Sequence, residues 1–128
     1  MRIVYSLIEA ERGNQGSMLV RDGRTLDAKV KGTILEAQFE LANGWILIWL
    51  TDDSPYDEGL HIYLVDKKDT ILDALEAGAD FTPGILRIGR TGKDWLEFEF
   101  FSNDSLYRLE VTKKAGLRLL DLFPLITL

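Results

Sequence analysis

The chain has 128 residues, no cysteine and a net charge of −6, and 46% of it is hydrophobic. That length and apolar content suit one packed domain, 1–128, and exclude global disorder. Without cysteine there are no disulfides, thiolate metal sites or cysteine nucleophiles, and no run approaches the ~20 apolar residues of a membrane-spanning helix.

Ile3 to Ile8 is a short apolar run with Val4 and Tyr5, which predicts a first strand. It is too short, and too broken by Ser6 and Glu9, to be a signal peptide. Gly13-Asn14-Gln15-Gly16 interrupts it with turn residues. Met18 to Val20 then leads into Asp22-Gly23, a hairpin signal. Leu26, Ala28 and Val30 alternate with Asp27, Lys29 and Lys31, the pattern of a strand with one wet face. Two strands separated by a short turn leave no room for a crossover helix, so antiparallel pairing follows.

Residues 33–66 form the centre of the pattern. Leu35, Ala37, Phe39 and Leu41 alternate with Glu36, Gln38 and Glu40, again predicting one wet face. Asn43-Gly44 predicts a hairpin with a type I′ turn. Trp45 to Leu50 does not alternate: six consecutive apolar residues predict a strand covered on both faces. Residues 51–59, TDDSPYDEG, form an acidic loop, and Leu60 to Val65 is strand-like again.

Residues 69–78 admit two readings. Asp69 or Thr70 can cap a short helix with Ile71, Leu72 and Leu75 as its apolar stripe and Gly78 at its end. Alternatively, 66–69 is a hairpin loop and Thr70 to Ala77 returns as a strand. The β surroundings favour the strand. Thr82-Pro83-Gly84 is a stop. Further strands are predicted at Ile85 to Ile88, Trp95 to Phe101 and Leu106 to Val111. In the second of these, Leu96, Phe98 and Phe100 face inward and Glu97 and Glu99 outward. Trp95 and Phe101 then share the wet side, which points to a covering element or partner. The chain closes with LRLLDLFPLITL, an apolar stretch that either completes the sheet or packs on another subunit. Shifting 33–51 by 61 residues matches Leu35 with Leu96, Glu36 with Glu97, Phe39 with Phe100 and Thr51 with Thr112, which two hairpins under the same physics produce without duplication.

Charge is uneven. Residues 36–80 hold eleven acids against Lys67 and Lys68, a balance of −9, and the remainder carries +3. A potential of that sign repels nucleic acid and attracts a basic partner. His61, the only histidine, follows the acidic loop, so Asp52, Asp53, Asp57, Glu58 and His61 form one candidate for a divalent cation or a carboxylate-oriented general base. The spacing fits neither an EF-hand nor an H-E-x-x-H helix, and no G-x-S-x-G elbow or phosphate loop exists.

The sequence therefore predicts a mainly β fold. Eight to ten short antiparallel strands form a meander curled into a sandwich or partly open barrel, with at most one short helix near 69–78. The function expected first is non-enzymatic: Asp52, Asp53, Asp57, Glu58, His61 and Asp66, with Asp69, present an acidic face to a basic protein. No catalytic residue, metal or cofactor is assigned, and no nucleic acid or membrane partner is expected. The protein is read as cytoplasmic and as a homodimer held in part by its C-terminal segment. One alternative is a small apolar ligand held among Trp45, Trp49, Phe98 and Tyr107. The other is an enzyme or metal site at His61 and the 52–58 carboxylates.

Overall fold

The computed structural model describes residues 1–4, 8–13, 16–52, 59–78, 84–101 and 106–122. Those residues form twelve strands and no helix. β1 (Arg2–Val4), β5 (Ile34–Glu40), β6 (Ile46–Thr51), β7 (Gly59–Val65) and β8 (Ile71–Gly78) make one sheet in the order β1-β5-β6-β7-β8. A three-stranded sheet contains β2 (Glu9–Gly13), β3 (Gly16–Arg21) and β4 (Arg24–Val30). A four-stranded sheet runs β12-β11-β10-β9, from β9 (Gly84–Thr91), β10 (Trp95–Phe101), β11 (Tyr107–Val111) and β12 (Leu117–Asp121). All pairings are antiparallel and no sheet closes into a barrel. The mainly β antiparallel fold read from the sequence is the fold observed, with twelve strands in place of the expected eight to ten, and residues 71–78 take the strand alternative.

Connectivity is meander within each sheet except at β1, which pairs with β5, more than thirty residues later in the chain, through Arg2↔Glu40, Ile3↔Phe39 and Val4↔Gln38. The chain then leaves the sheet. Gln38 fixes that departure: its Oε1 accepts the Ile8 N–H and its Nε2 donates to the Ile8 carbonyl, each at 2.9 Å. Gln38 is thus buried, whereas the alternating pattern predicts a wet position. Its polar atoms are satisfied by backbone, which removes most of the penalty for burying them.

Turn geometry follows residue chemistry. Asp22 (φ 53°) and Gly23 (φ 77°) both sit at positive φ between Arg21 and Arg24, the type I′ arrangement. Asn43-Gly44 makes its hairpin differently from the expected type I′ turn. Gly44 N–H donates to the Leu41 carbonyl at 2.9 Å, Leu41 N–H donates to Trp45 at 2.8 Å, and Gly44 has φ 87°. A three-residue loop closed by one left-handed residue results. The same bonding recurs at 66–70 with Asp69 (φ 65°) and at 112–116 with Ala115 (φ 60°).

The five-stranded sheet is the middle layer. Along β6, Leu47 and Trp49 face one core, shared with the four-stranded sheet, while Ile46, Ile48 and Leu50 face another, shared with the three-stranded sheet. β7 divides likewise: Leu60, Ile62 and Leu64 join the first core, Tyr63 and Val65 the second. All six β6 residues are buried; of the predicted run Trp45 to Leu50, Ile46 to Leu50 lie in this strand and Trp45 precedes it, half-buried. A bulge between Leu35 and Ala37 sends Leu35 to the second core while Ala37 and Phe39 keep to the first. Trp49 packs edge-on to Phe98 (centroids 4.9 Å) and Phe39 (6.2 Å), and Phe98 stacks on Tyr107 at 5.6 Å. Of the four aromatic residues named as candidate cavity walls, Trp49, Phe98 and Tyr107 thus pack against one another.

Leu96, Phe98 and Phe100 face the core as expected. Glu97, predicted to be wet, is only 2% exposed. Arg90 Nε donates to its Oε1 at 2.6 Å and Arg108 Nη2 lies 3.9 Å away, so two guanidinium groups cover the carboxylate. Arg108 also lies 4.3 Å from the Trp95 ring centroid, so the cover on Trp95 comes from the next strand of its own sheet. The Phe101 side chain lies outside the described set.

Replacing Trp49 by Ala should cost about 3–5 kcal/mol, the range for truncating a buried aromatic. Denaturant unfolding checks it. Near-native stability for Trp49→Ala would remove β6 from the centre of the core.

Candidate functional site

Polar chemistry gathers where β6 ends and β7 begins. Asp52 N–H donates to the Gly59 carbonyl at 3.3 Å, and Thr33 N–H to the Thr51 carbonyl at 2.9 Å, fixing the two strand ends beside the 31–33 turn. His61 is the third residue of β7, on the face toward the three-stranded sheet, and is 7% exposed. Its Nε2 is 3.1 and 3.0 Å from the two carboxylate oxygens of Asp52. Its Nδ1 is 2.9 Å from Glu76 Oε1, on the neighbouring strand β8, but off the hydrogen-bonding axis, so that contact is electrostatic. Lys31 Nζ reaches the same Glu76 oxygen at 3.4 Å, and the Lys31 N–H donates to the Tyr63 hydroxyl at 2.8 Å. Glu36 accepts the Thr51 hydroxyl at 2.7 Å.

Two glycines make room for the imidazole. A Cβ on Gly59 would lie 2.6 Å from Asp52 Oδ2 and 3.2 Å from His61 Nε2. One on Gly32, which has φ 95°, would lie 2.7 Å from the Leu50 Cβ and 3.1 Å from His61 Cδ2. The ring is enclosed, not presented in a cleft.

His61 thus comes within hydrogen-bond reach of Asp52, as an enzyme reading requires, but each ring nitrogen faces a carboxylate. The ring is buried, only 7% exposed. Among the described residues no group of three or more His, Asp or Glu side chains is arranged to hold a metal ion. The contacts of this cluster tie the end of β6 to β7 and β8.

Of the residues singled out in the sequence, Asp52 and His61 are brought together. Asp53, Asp57 and Glu58 lie outside the described residues. Asp66 stands at the opposite end of β7, where its Oδ1 accepts the Lys68 and Thr70 N–H groups at 2.8 and 2.9 Å and shapes the turn. Asp69 beside it is paired with Arg21 at 3.0 Å and Arg24 at 3.2 Å. The two ends of β7 therefore differ: at one, Asp69 is paired with two arginines and Asp66 with backbone N–H groups, and the other gathers Glu36, Asp52 and Glu76 near Lys31. Glu76, Lys31, Gly32 and Gly59 are the participants that sequence reasoning missed.

Burial lifts the Tyr63 hydroxyl above its ordinary pKa of 10.0; the Lys31 N–H works against this, and the nearby Glu76 and Asp52 charges add to it. Because the folded value is the higher one, this contribution to stability is present below pH 10 and lost as pH rises through the folded pKa. Unfolding free energy measured from neutral to alkaline pH should fall in wild type and fall less steeply in Tyr63→Phe. Equal slopes would show that Tyr63 titrates as it does unfolded.

Comparison with protein-family models, with curated proteins and with solved structures found no match to this chain.

Proposed function

We propose that the chain is a non-enzymatic binding protein that presents the acidic end of its middle sheet to a basic protein partner. The observation that carries this is the unequal neutralisation of the two ends of β7. At the far end Asp69 is held by two arginines. At the near end Glu36, Asp52 and Glu76 gather, and the sequence joining Asp52 to Gly59 contributes Asp53, Asp57 and Glu58. Like charges gathered at one end of a sheet repel each other, and a cationic partner relieves that repulsion while steering association. Packing of Trp49, Phe98 and Tyr107 against one another favours this over an apolar ligand among them. No helix of the described residues is long and apolar enough to cross a membrane. We further take the protein to be cytoplasmic, in keeping with its lack of cysteine, and dimeric through the edge of the four-stranded sheet, where the sequence after β12 continues in apolar residues.

Neutralising Asp53, Asp57 and Glu58 to amides leaves the Asp52–His61 contact in place, so melting should stay close to wild type. Association with a lysine-rich peptide, followed by calorimetry across a salt series, should weaken in this variant and lose much of its salt dependence. Identical binding by variant and wild type would sink the acidic-surface reading. A divalent cation that raises the melting temperature of wild type and not of the variant would replace it with a metal site.

A further inference from the structure

We propose that His61 is a proton-controlled counter-ion for the acidic end of the middle sheet, and that a cationic side chain of the basic partner takes Glu76 in exchange for the His61 proton. This rests on the proposal that the partner is basic, and it specifies how pH regulates that association. The imidazole has carboxylates on both sides. Nε2 lies 3.1 and 3.0 Å from the two oxygens of Asp52, so a hydrogen stands on that nitrogen, because a bare lone pair there would face both oxygens. Nδ1 is therefore the atom at which the ring gains or loses its charge. It is buried, makes no hydrogen bond to the described residues, and lies 2.9 Å from Glu76 Oε1. A proton on Nδ1 sets a positive charge against Glu76; without it, a buried lone pair is left beside that carboxylate.

The titratable groups around the ring come from each described element near it. Asp52 follows β6, Glu76 stands on β8, and Lys31, just after β4, reaches the same Glu76 oxygen at 3.4 Å. Glu36, on β5, is tied to the Thr51 hydroxyl. Tyr63, two residues along β7, stays uncharged at neutral pH, since burial raises its hydroxyl above 10.0. With His61 charged, three acids (Glu36, Asp52, Glu76) stand against two cations (His61, Lys31), a balance of −1; with His61 neutral the balance is −2. One proton thus changes the local charge that a basic partner meets. Glu76 is where the exchange takes place. The His61 side chain is 9% exposed, whereas those of Glu76 and Lys31 are 52% and 70% exposed, so an ammonium or guanidinium arriving from solvent meets Glu76 and not the ring. The arriving charge replaces that of the imidazolium beside Glu76, and the Nδ1 proton leaves to solvent. By linkage the reverse holds: protonation at low pH weakens partner binding.

Calorimetry of the intact chain with a capped lysine-rich peptide, repeated in buffers of different ionisation enthalpy over pH about 5 to 8, counts the protons released on binding. Wild type should release about 0.3 proton or more at its maximum, and its affinity should rise about threefold or more from the acidic to the neutral end of the series. His61→Gln, which keeps a donor for Asp52, should bind with nearly constant affinity and release almost none. Glu76→Gln, at an exposed side chain, should lower the release with His61 still in place. Ring nitrogen NMR of wild type reads the same transfer even where a variant does not fold, because His61 is the only histidine. Adding peptide should move the ring toward its neutral form. Peptide binding with no proton release and no change at the ring would overturn the exchange and leave the acidic-surface reading standing, as would release that Glu76→Gln fully retains. Absence of peptide binding at every pH would overturn both.

Discussion

The structure depends on one strand having no solvent side. Every residue of β6 is buried, with alternate side chains feeding two separate cores. A strand in that position cannot accept a polar side chain at either parity without burying it, so polar groups are pushed to its ends. β7 obeys the same rule through Val65, and its one imidazole sits at the third residue from the Asp52 end. The sheets on either side exist to cover these faces: the three-stranded sheet supplies Leu19, Leu26 and Val30, the four-stranded sheet Leu96, Phe98, Phe100 and Leu109.

Once polar groups are confined to strand ends, the two ends of the middle sheet become chemically distinct. At one, Arg21 and Arg24 hold Asp69, whose left-handed backbone is fixed as part of the hairpin. At the other, His61 is clasped between Asp52 and Glu76, and Gly32 and Gly59 give it space that no larger residue would. The imidazole there ties the end of β6 to β7 and β8, which leaves the surrounding carboxylates as the part of the cluster that faces outward.

What the sequence made legible is what local chemistry controls. Six consecutive apolar residues announce a strand covered twice, and Asp22-Gly23 and Asn43-Gly44 mark hairpins because both pairs tolerate positive φ. What it concealed was set by contacts between distant residues or by single-residue irregularities. Gln38 reads as wet because the pattern holds no trace of Ile8, thirty residues away, whose backbone satisfies it. Glu97 reads as wet because its cover comes from arginines on the two flanking strands. Glu76 is the plainest case. Val65 pairs with Ile71, and continuing that register would set Leu75 opposite His61; the bulge after Leu64 slips it by one and brings Glu76 there instead. The candidate site was thus half visible: its histidine and Asp52 stand out by composition, while its second carboxylate depends on a bulge.

Residue-resolved hydrogen exchange measures most directly whether a doubly covered β6 holds the fold together. If it does, the amides of Ile46–Thr51 exchange only through global unfolding, with protection equal to the unfolding free energy and greater than that of the edge strands β2 and β12. Exchange of β6 amides as fast as those of β2 or β12 would contradict it, because one of its faces would then open independently.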